Sequence, residues 1–216
     1  AGRRTGGDPA HQLDHHQLVP VPGLLRFGRL AGEFVRTKVA PEMDAFRFAA
    51  YASHSGIGKK AADLSSGDGA LTALIEGQNV MDDAEVPEDQ RYLFISSALY
   101  NLILNVDTTK SKAVLESFQK VVKVPKSRFY TSIVLNDGST EGQTDGGFVK
   151  GASAKEINFM IIHKPALLQY PKHTVNKIIA PQDNQTSDGW KFFYRAYGLA
   201  DLYENKTAGV YLHSKA

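Results

Sequence analysis

The segment from Leu24 to about Ala52 constrains the fold most, because apolar side chains recur along it at helical spacing with charged side chains between them. The apolar positions are Phe27, Leu30, Ala31, Phe34, Val35, Val39, Met43, Phe46 and Ala50. Pro41 has no amide hydrogen, so we expect it to kink or interrupt this helix. A helix of roughly 25 to 29 residues measures about 40 Å, which is long for a chain of 216 residues. We therefore expect other elements to pack along it.

The rest of the sequence predicts an α+β fold. Helical periodicity indicates a second helix at about 70–81, and Ser96 or Ser97 is a candidate cap for a third helix at 98–105. Apolar, extended stretches then predict a series of strands: 91–96, 121–135 with an interruption at Pro125, 156–163, 173–181, and a closing pair with a hairpin turn near Glu204–Lys206. Helices followed mostly by strands are typical of α+β folds rather than of alternating βαβ units.

Composition excludes several classes of protein. The chain has no cysteine, so disulfides, thiolate metal sites and cysteine nucleophiles are excluded. No apolar run reaches the roughly 18 residues that span a bilayer. A net charge of +2 is too small to indicate nucleic-acid binding. The charge is nevertheless uneven: residues 1–106 carry 10 basic and 13 acidic groups and residues 107–216 carry 15 and 10, so opposite ends of two copies are expected to attract each other.

Motifs for catalysis and ligand binding are weak. The stretch SHSGIGKK has Ser53 and Lys60 where a phosphate-binding loop needs Gly and Ser or Thr. The stretch HQLDHH at 11–16 offers metal-ligand side chains, but it lies in an N-terminal segment, residues 1–23, that reads as disordered or irregular. The acidic turn, which we define as residues 82–90, lacks the spacing of a calcium loop. We therefore predict no metal, no cofactor and no enzymatic activity.

Two alternatives remain open at this point. A small hydrolase would assemble a dispersed Ser/His/Asp site around His163 or His213, although no serine lies in a nucleophile-elbow sequence. A single-strand nucleic-acid binder would stack bases on the aromatic side chains of 192–197.

Several blocks of the sequence, in the same order, resemble the major capsid proteins of tailed bacteriophages. The most specific are VPKSRFYT, INFMIIHKPALLQYPKHTVNKIIAP and GWKFFYRAYGLADLYENKTAGVYLH in the C-terminal part. Upstream, LAGEFVRTKVAPEMDAFRFAAYAS and DDAEVPEDQRYLFISSALYNLI are similar to the same family. The resemblance covers about residues 27–213.

This resemblance implies the tailed-phage capsid fold. Its peripheral domain contains a long spine helix and a β-sheet, and its axial domain mixes sheet and helices. It implies that residues 24–59 form the spine helix, 60–154 an axial-type domain and 155–216 the C-terminal strands of the peripheral domain. The implied function is structural: copies form pentamers and hexamers of an icosahedral head that encloses DNA, assembled in the bacterial cytoplasm. Implied partners are further copies, packaged DNA held non-specifically, a scaffolding protein and a portal.

The resemblance also implies an N-terminal arm and an extended loop before the spine helix, whereas only 23 unlike residues precede it here, so we expect that arm to be missing. An encapsulin-type compartment shell has the same fold and is the nearest alternative. Position in the expected spine helix and charge make five residues candidates for subunit contacts: Glu33, Arg36, Asp82, Asp83 and Arg128.

Overall fold

A computed structural model describes residues 22–106 and 108–216, and it has an α+β fold. The predicted irregular segment 1–23, with its histidine cluster, lies almost wholly outside the described residues. The helices are α1 (Pro22–Phe34), α2 (Ala40–Ser53), α3 (Gly67–Asp83), α4 (Ser97–Leu104) and α5 (Thr108–Glu116). The strands are β1 (Gly58–Ala61), β2 (Arg91–Ser96), β3 (Lys120–Val124), β4 (Ile133–Leu135), β5 (Phe148–Lys150), β6 (Ile157–His163), β7 (Leu167–Ile179), β8 (Lys191–Leu202) and β9 (Val210–Ser214).

The first two helices form one continuous helical segment, because a π-helical turn at Val35–Val39 joins α1 to α2. Within it the amide of Ala40 donates to the carbonyl oxygen of Val35, five residues earlier. The next residue, Pro41, has no amide hydrogen, and its ring would clash with the carbonyl of Thr37 in a regular α-helix. The interruption predicted at Pro41 is therefore present as a wider turn rather than as a break.

The core is a five-stranded mixed sheet with the order β1-β9-β6-β2-β3, in which both outer pairs are parallel. Successive side chains of its strands point to opposite faces. On one face Met160, Ile162 and Leu212 pack with Phe48 and Tyr51 of α2. On the other face the alternate residues of the same strands pack with helices α3 and α4; these strand residues are Leu93, Ile95, Phe159, Ile161 and Tyr211. The sheet is therefore buried on both sides.

Local sequence signals account for the helices of the second face. Ser66 caps α3 by accepting a hydrogen bond from the amide of Gly69 at 3.2 Å, and Ser96 caps α4 through the amide of Leu99 at 3.4 Å. The predicted helices at 70–81 and 98–105, and the predicted strands at 91–96 and 156–163, are confirmed within a few residues. Every residue of β6 is buried, as its mostly apolar sequence indicates, and Asn158 and His163 are its two polar members.

A long two-stranded hairpin, β7 with β8, packs along the helical segment. The hydroxyl of Tyr51 in α2 donates to Oε1 of Gln169 in β7 at 2.9 Å. The rings of Phe34 and Phe192 meet edge to face with 6.4 Å between their centroids. The side of the hairpin that faces the helix is thus half-buried, while its opposite side is exposed.

Three sequence predictions need correction. The two closing strands do not form a hairpin, because β8 pairs with β7 whereas β9 pairs with β6 and β1, and the 3-10 turn Glu204–Gly209 carries the chain from one sheet to the other. The sequence also predicts loops at 53–69 and, from its five glycines, at 136–154, but the first contains β1 and the second contains β5. The sequence predicts no element in the polar stretch between the predicted helix at 98–105 and the predicted strand at 121–135, but this stretch forms α5.

The five-stranded sheet takes strands from both of the predicted segments 60–154 and 155–216. Of the second segment, β7 and β8 lie outside that sheet. The assignment of the predicted segments to a peripheral and an axial domain stays a prediction. Over residues 22–106 and 108–216, no helix has the length and apolarity that crossing a membrane requires.

Candidate interaction surfaces

Glu33 and Arg36 bind each other on the exposed surface where α1 meets the π turn. The guanidinium donates from Nε to Oε2 at 3.1 Å and from Nη2 to Oε1 at 2.5 Å, across one helical turn. The hydrogen bond from Arg36 lowers the pKa of Glu33, and the same bond raises the pKa of Arg36. Both side chains are solvated, so a second subunit would have to compete with this local pair.

Arg128 links the 3-10 turn Lys126–Arg128 to the long helix. Its Nη1 donates to Oδ2 of Asp44 in α2 at 3.0 Å. The guanidinium is about three-quarters buried and the carboxylate is more exposed. This pair therefore has a role within the chain, and a role of Arg128 between subunits stays a prediction.

The acidic turn is held in a fixed shape by Arg91, the first residue of β2. The buried guanidinium donates to the carbonyl oxygens of Pro87, at 2.9 Å, and of Val86. It also forms an ion pair with Asp82, with 2.6 Å between Nη2 and Oδ1. Glu85 and Gln90 have φ values of 57° and 59°, in the left-handed region that non-glycine residues rarely adopt. Asp82 is thus committed to Arg91, while Asp83 is exposed to solvent.

We define the outer face of the hairpin as the exposed residues on one side of its two strands, namely Tyr170, Lys177, Phe193, Arg195, Tyr197 and Leu199. Tyr170, Tyr197 and Leu199 also border the cavity between α2 and the hairpin. The four large apolar side chains of the outer face are 49–60% exposed. Alternation along β8 explains this exposure, because the odd-numbered residues from 193 to 199 are exposed whereas the even-numbered 192, 194 and 196 are half-buried toward the helix. Exposed aromatic side chains at this density are typical of contact surfaces.

Further apolar side chains are exposed on the other side of the hairpin and on β4–β5. A cavity of about 270 Å³ lies between α2 and the hairpin, lined in part by Met43, Phe46 and Ala196. Leu30 is 65% exposed on α1. Val134 and Val149 are exposed on the short β4–β5 hairpin. The helical segment and both hairpins therefore carry apolar surface that this chain does not cover.

Within the described part of the chain, the two histidines proposed for a hydrolase do not form a catalytic site with a hydroxyl and a carboxylate. His213 is fully buried, stacks on Phe159 with 5.0 Å between ring centroids, and contacts Nδ2 of Asn158. Burial lowers the pKa of both His213 and His163. His54 does contact a carboxylate, with 2.7 Å from Nε2 to Oδ1 of Asp201. In the described ranges none of these rings bonds to a Ser or Thr hydroxyl, and no group of three or more acidic or histidine side chains is placed to hold a metal ion.

Comparison with known proteins gives a likeness in fold. No protein-family model matches the sequence, and no curated protein matches it. A solved structure from Mycobacterium phage Che8 is similar with a TM-score of 0.54 at 12% identity, over 88% of this chain and 61% of that one. The capsid structure of the cyanophage P-SCSP1u is similar with a TM-score of 0.54 at 13% identity, over 89% of this chain and 65% of that one. The chain thus spans less than two thirds of either structure's length, and it has a phage capsid-like fold.

Proposed function

We propose that this chain is a structural protein of a phage head, in which identical copies form pentamers and hexamers of an icosahedral shell around DNA. The observation that carries the proposal is the likeness to the cyanophage capsid structure over 89% of the chain. Exposed apolar side chains on the helical segment and the hairpins are compatible with this function, because a shell protein buries such surface only against its neighbours. A structural role needs no catalytic site.

The structure can be divided into the two domains that a protein of such a shell would have. The helical segment from Pro22 to Ser53 with the β7–β8 hairpin would form the peripheral domain, and the five-stranded sheet with α3, α4 and α5 would form the axial domain around the capsomer axes. This division reassigns β6 and β9 from the peripheral domain of the sequence prediction to the axial domain, because both strands lie in the five-stranded sheet. Packaged DNA would contact scattered Lys and Arg side chains without sequence preference.

The charged residues selected from the sequence have unequal standing as subunit contacts. Asp83 is exposed and free to meet a neighbour in the described part of the chain. The other four residues each form an ion pair within the chain, and they are Glu33, Arg36, Asp82 and Arg128. Because the partner already neutralises part of each charge, each would attract a neighbouring subunit less strongly than Asp83. Contacts with a scaffolding protein and a portal belong to the same proposal.

Size-exclusion chromatography followed by negative-stain electron microscopy tests the proposal. We expect rings of five or six subunits, or closed shells, at high protein concentration. Nuclease-resistant DNA in shells isolated from cells would distinguish a phage head from an encapsulin-type compartment, which encloses protein. A chain that stays monomeric at every salt and protein concentration would contradict the proposal.

A further inference from the structure

The outer face of the β7–β8 hairpin carries positive charge without compensation. No Asp or Glu lies between Leu167 and Ile179 or between Lys191 and Ala200. Lys172 lies over the ring of Tyr197, with 5.9 Å from Nζ to the ring centroid. Across the described ranges neither Lys177 nor Arg195 forms an ion pair with a carboxylate. The face therefore attracts a negatively charged partner.

Its composition is that of a protein contact. Large aromatic side chains with Arg are enriched where protein interfaces carry most of their binding energy. Phe193 lies opposite Lys177 in the register of the hairpin, and Arg195 lies between Phe193 and Tyr197 on the same side of β8, so apolar and cationic groups alternate along this face. Leu199 and Tyr170, a cross-strand pair, extend the apolar area toward the base of the hairpin. A nucleic acid would use the cations and the rings, but not an aliphatic side chain such as Leu199.

The acidic turn supplies the complementary charge within the same sequence. Asp83, Glu85 and Glu88 are exposed, and in the described chain they form no ion pair. Arg91, the nearest cation in sequence, is buried and committed to Asp82 and to two backbone carbonyls. The turn is therefore both negatively charged and held in one conformation before any partner arrives, which reduces the entropy that binding costs.

We propose that the outer face of the hairpin binds the acidic turn of a second copy of this chain. The inference rests on the proposed function and specifies which two surfaces meet. Because the two surfaces differ, the contact is heterologous, and such a contact gives a ring of five or six copies if the rotation between copies closes. Electrostatic attraction between exposed groups sets partner choice and register, while the aromatic side chains supply the buried area.

Charge reversal on each side tests the proposal. One variant carries Lys177→Glu and Arg195→Glu, and a second carries Asp83→Lys and Glu88→Lys. We expect each variant alone to associate at least about tenfold more weakly than the unmodified chain in sedimentation velocity. An equimolar mixture recovers association, because each reversed surface then meets one of opposite charge. A control with Lys126→Glu and Lys155→Glu, two exposed cations outside both surfaces, associates like the unmodified chain.

Chemical cross-linking detects the same contact even when association is weak. Because the sequence has no cysteine, the reagent reacts only with the cysteines that are introduced. A copy with Lys177→Cys is mixed with a copy carrying Glu88→Cys and treated with a short bismaleimide. We expect a two-chain product that decreases between about 0.1 M and about 1 M NaCl, where charges are screened. A copy with Lys155→Cys in place of Lys177→Cys gives little of this product. Circular dichroism of every variant establishes that it is folded.

The outcomes separate this inference from the proposed function. If the reversed variants form rings or shells as well as the unmodified chain does, the docking proposal is wrong and the shell function stands. If the variant with Lys177→Glu and Arg195→Glu assembles normally but loses binding to a DNA oligonucleotide, the outer face is a nucleic-acid surface and the proposal is overturned. If no variant and no unmodified chain associates or cross-links, both proposals fail together.

Discussion

The Nδ1 atom of His213 lies 3.1 Å from Nδ2 of Asn158, between strands β9 and β6 of the central sheet. The same amide nitrogen donates to the carbonyl oxygen of Ala62 at 3.0 Å, which fixes the orientation of the amide. Nδ1 therefore accepts a hydrogen bond, and the proton of the neutral ring is on Nε2, which is buried and has no partner among the described residues. A second proton on this ring would face the amide hydrogens of Asn158.

This geometry predicts that acid destabilises the chain. Burial lowers the pKa of His213, and Lys60 lowers it further, while Glu76 acts in the opposite direction. The unfolded chain therefore binds this proton more readily than the folded chain. The stabilisation is complete above the ordinary histidine pKa of about 6.5 and is lost as the pH falls below it, with a slope of at most about 1.4 kcal/mol per pH unit for one proton.

Urea unfolding at a series of pH values between about 5 and about 8 measures this slope. His213→Gln is expected to flatten the curve, although not completely, because burial also lowers the pKa of His163. His173→Gln, which changes an exposed histidine of the hairpin, is the matched control with which the slope of His213→Gln is compared. An equal slope in His213→Gln and the unmodified chain would contradict the prediction.

Arg91→Met is expected to lower the free energy of unfolding by about 2–3 kcal/mol, because it leaves the carbonyl oxygens of Pro87 and Val86 without their donor. The loss of the pair with Asp82 contributes less, since that carboxylate is partly solvated. Arg36→Met makes the same change in a fully solvated pair and should leave stability nearly unchanged. Chemical denaturation of both variants provides the comparison, and equal effects would mean that Arg91 does not support the acidic turn.

The sequence predicted those elements whose cause is local. The periodicity at 70–81 and the serine before α4 act within a few residues, and the apolar run 159–162 of β6 requires burial on both faces wherever it is placed. The closing strands were joined wrongly because strand partners are chosen by distant residues. Tyr211 pairs with Gly58 and Ile161, and nothing near Glu204 in sequence indicates that the chain leaves one sheet for another there.

The contacts at the candidate surfaces also divide into those that local spacing predicts and those that depend on the fold. The pair between Glu33 and Arg36 follows from their spacing of three residues on a helix, whereas the pair between Asp44 and Arg128 spans 84 residues and needs the fold. The exposed aromatic face of the hairpin could not be derived either, because the alternation in β8 predicts two faces but does not reveal which of them meets the helix. A usable signal in the sequence is the absence of acidic residues from all of β7 and from β8 before Asp201.

Gly77→Ala is expected to destabilise the chain by about 1–3 kcal/mol, because α3 lies against the sheet at this glycine. An added Cβ would be 2.8 Å from Cδ1 and Cε1 of Tyr211 and 3.0 Å from Cδ1 of Ile161. Gly32→Ala is the control, since nothing lies within 4 Å of its added Cβ and alanine favours a helix over glycine. Thermal unfolding should move the midpoints of the two variants in opposite directions. A neutral Gly77→Ala would show that the Tyr211 ring can move aside.

Pro41→Ala tests whether the proline causes the π-helical turn before it. The amide hydrogen of alanine could donate to the carbonyl of Thr37, and the segment Val35–Val39 could then return to α-helical hydrogen bonding. We expect the free energy of unfolding to rise by about 1 kcal/mol and amide exchange between Val35 and Pro41 to slow. Pro181→Ala, in the first position of a 3-10 turn where the proline ring is well accommodated, should be neutral or slightly destabilising. A return to α-helix would also rotate α1 relative to α2 and separate Phe34 from Phe192. A loss of stability in Pro41→Ala would therefore mean that packing against the hairpin, rather than the proline ring, maintains the π turn.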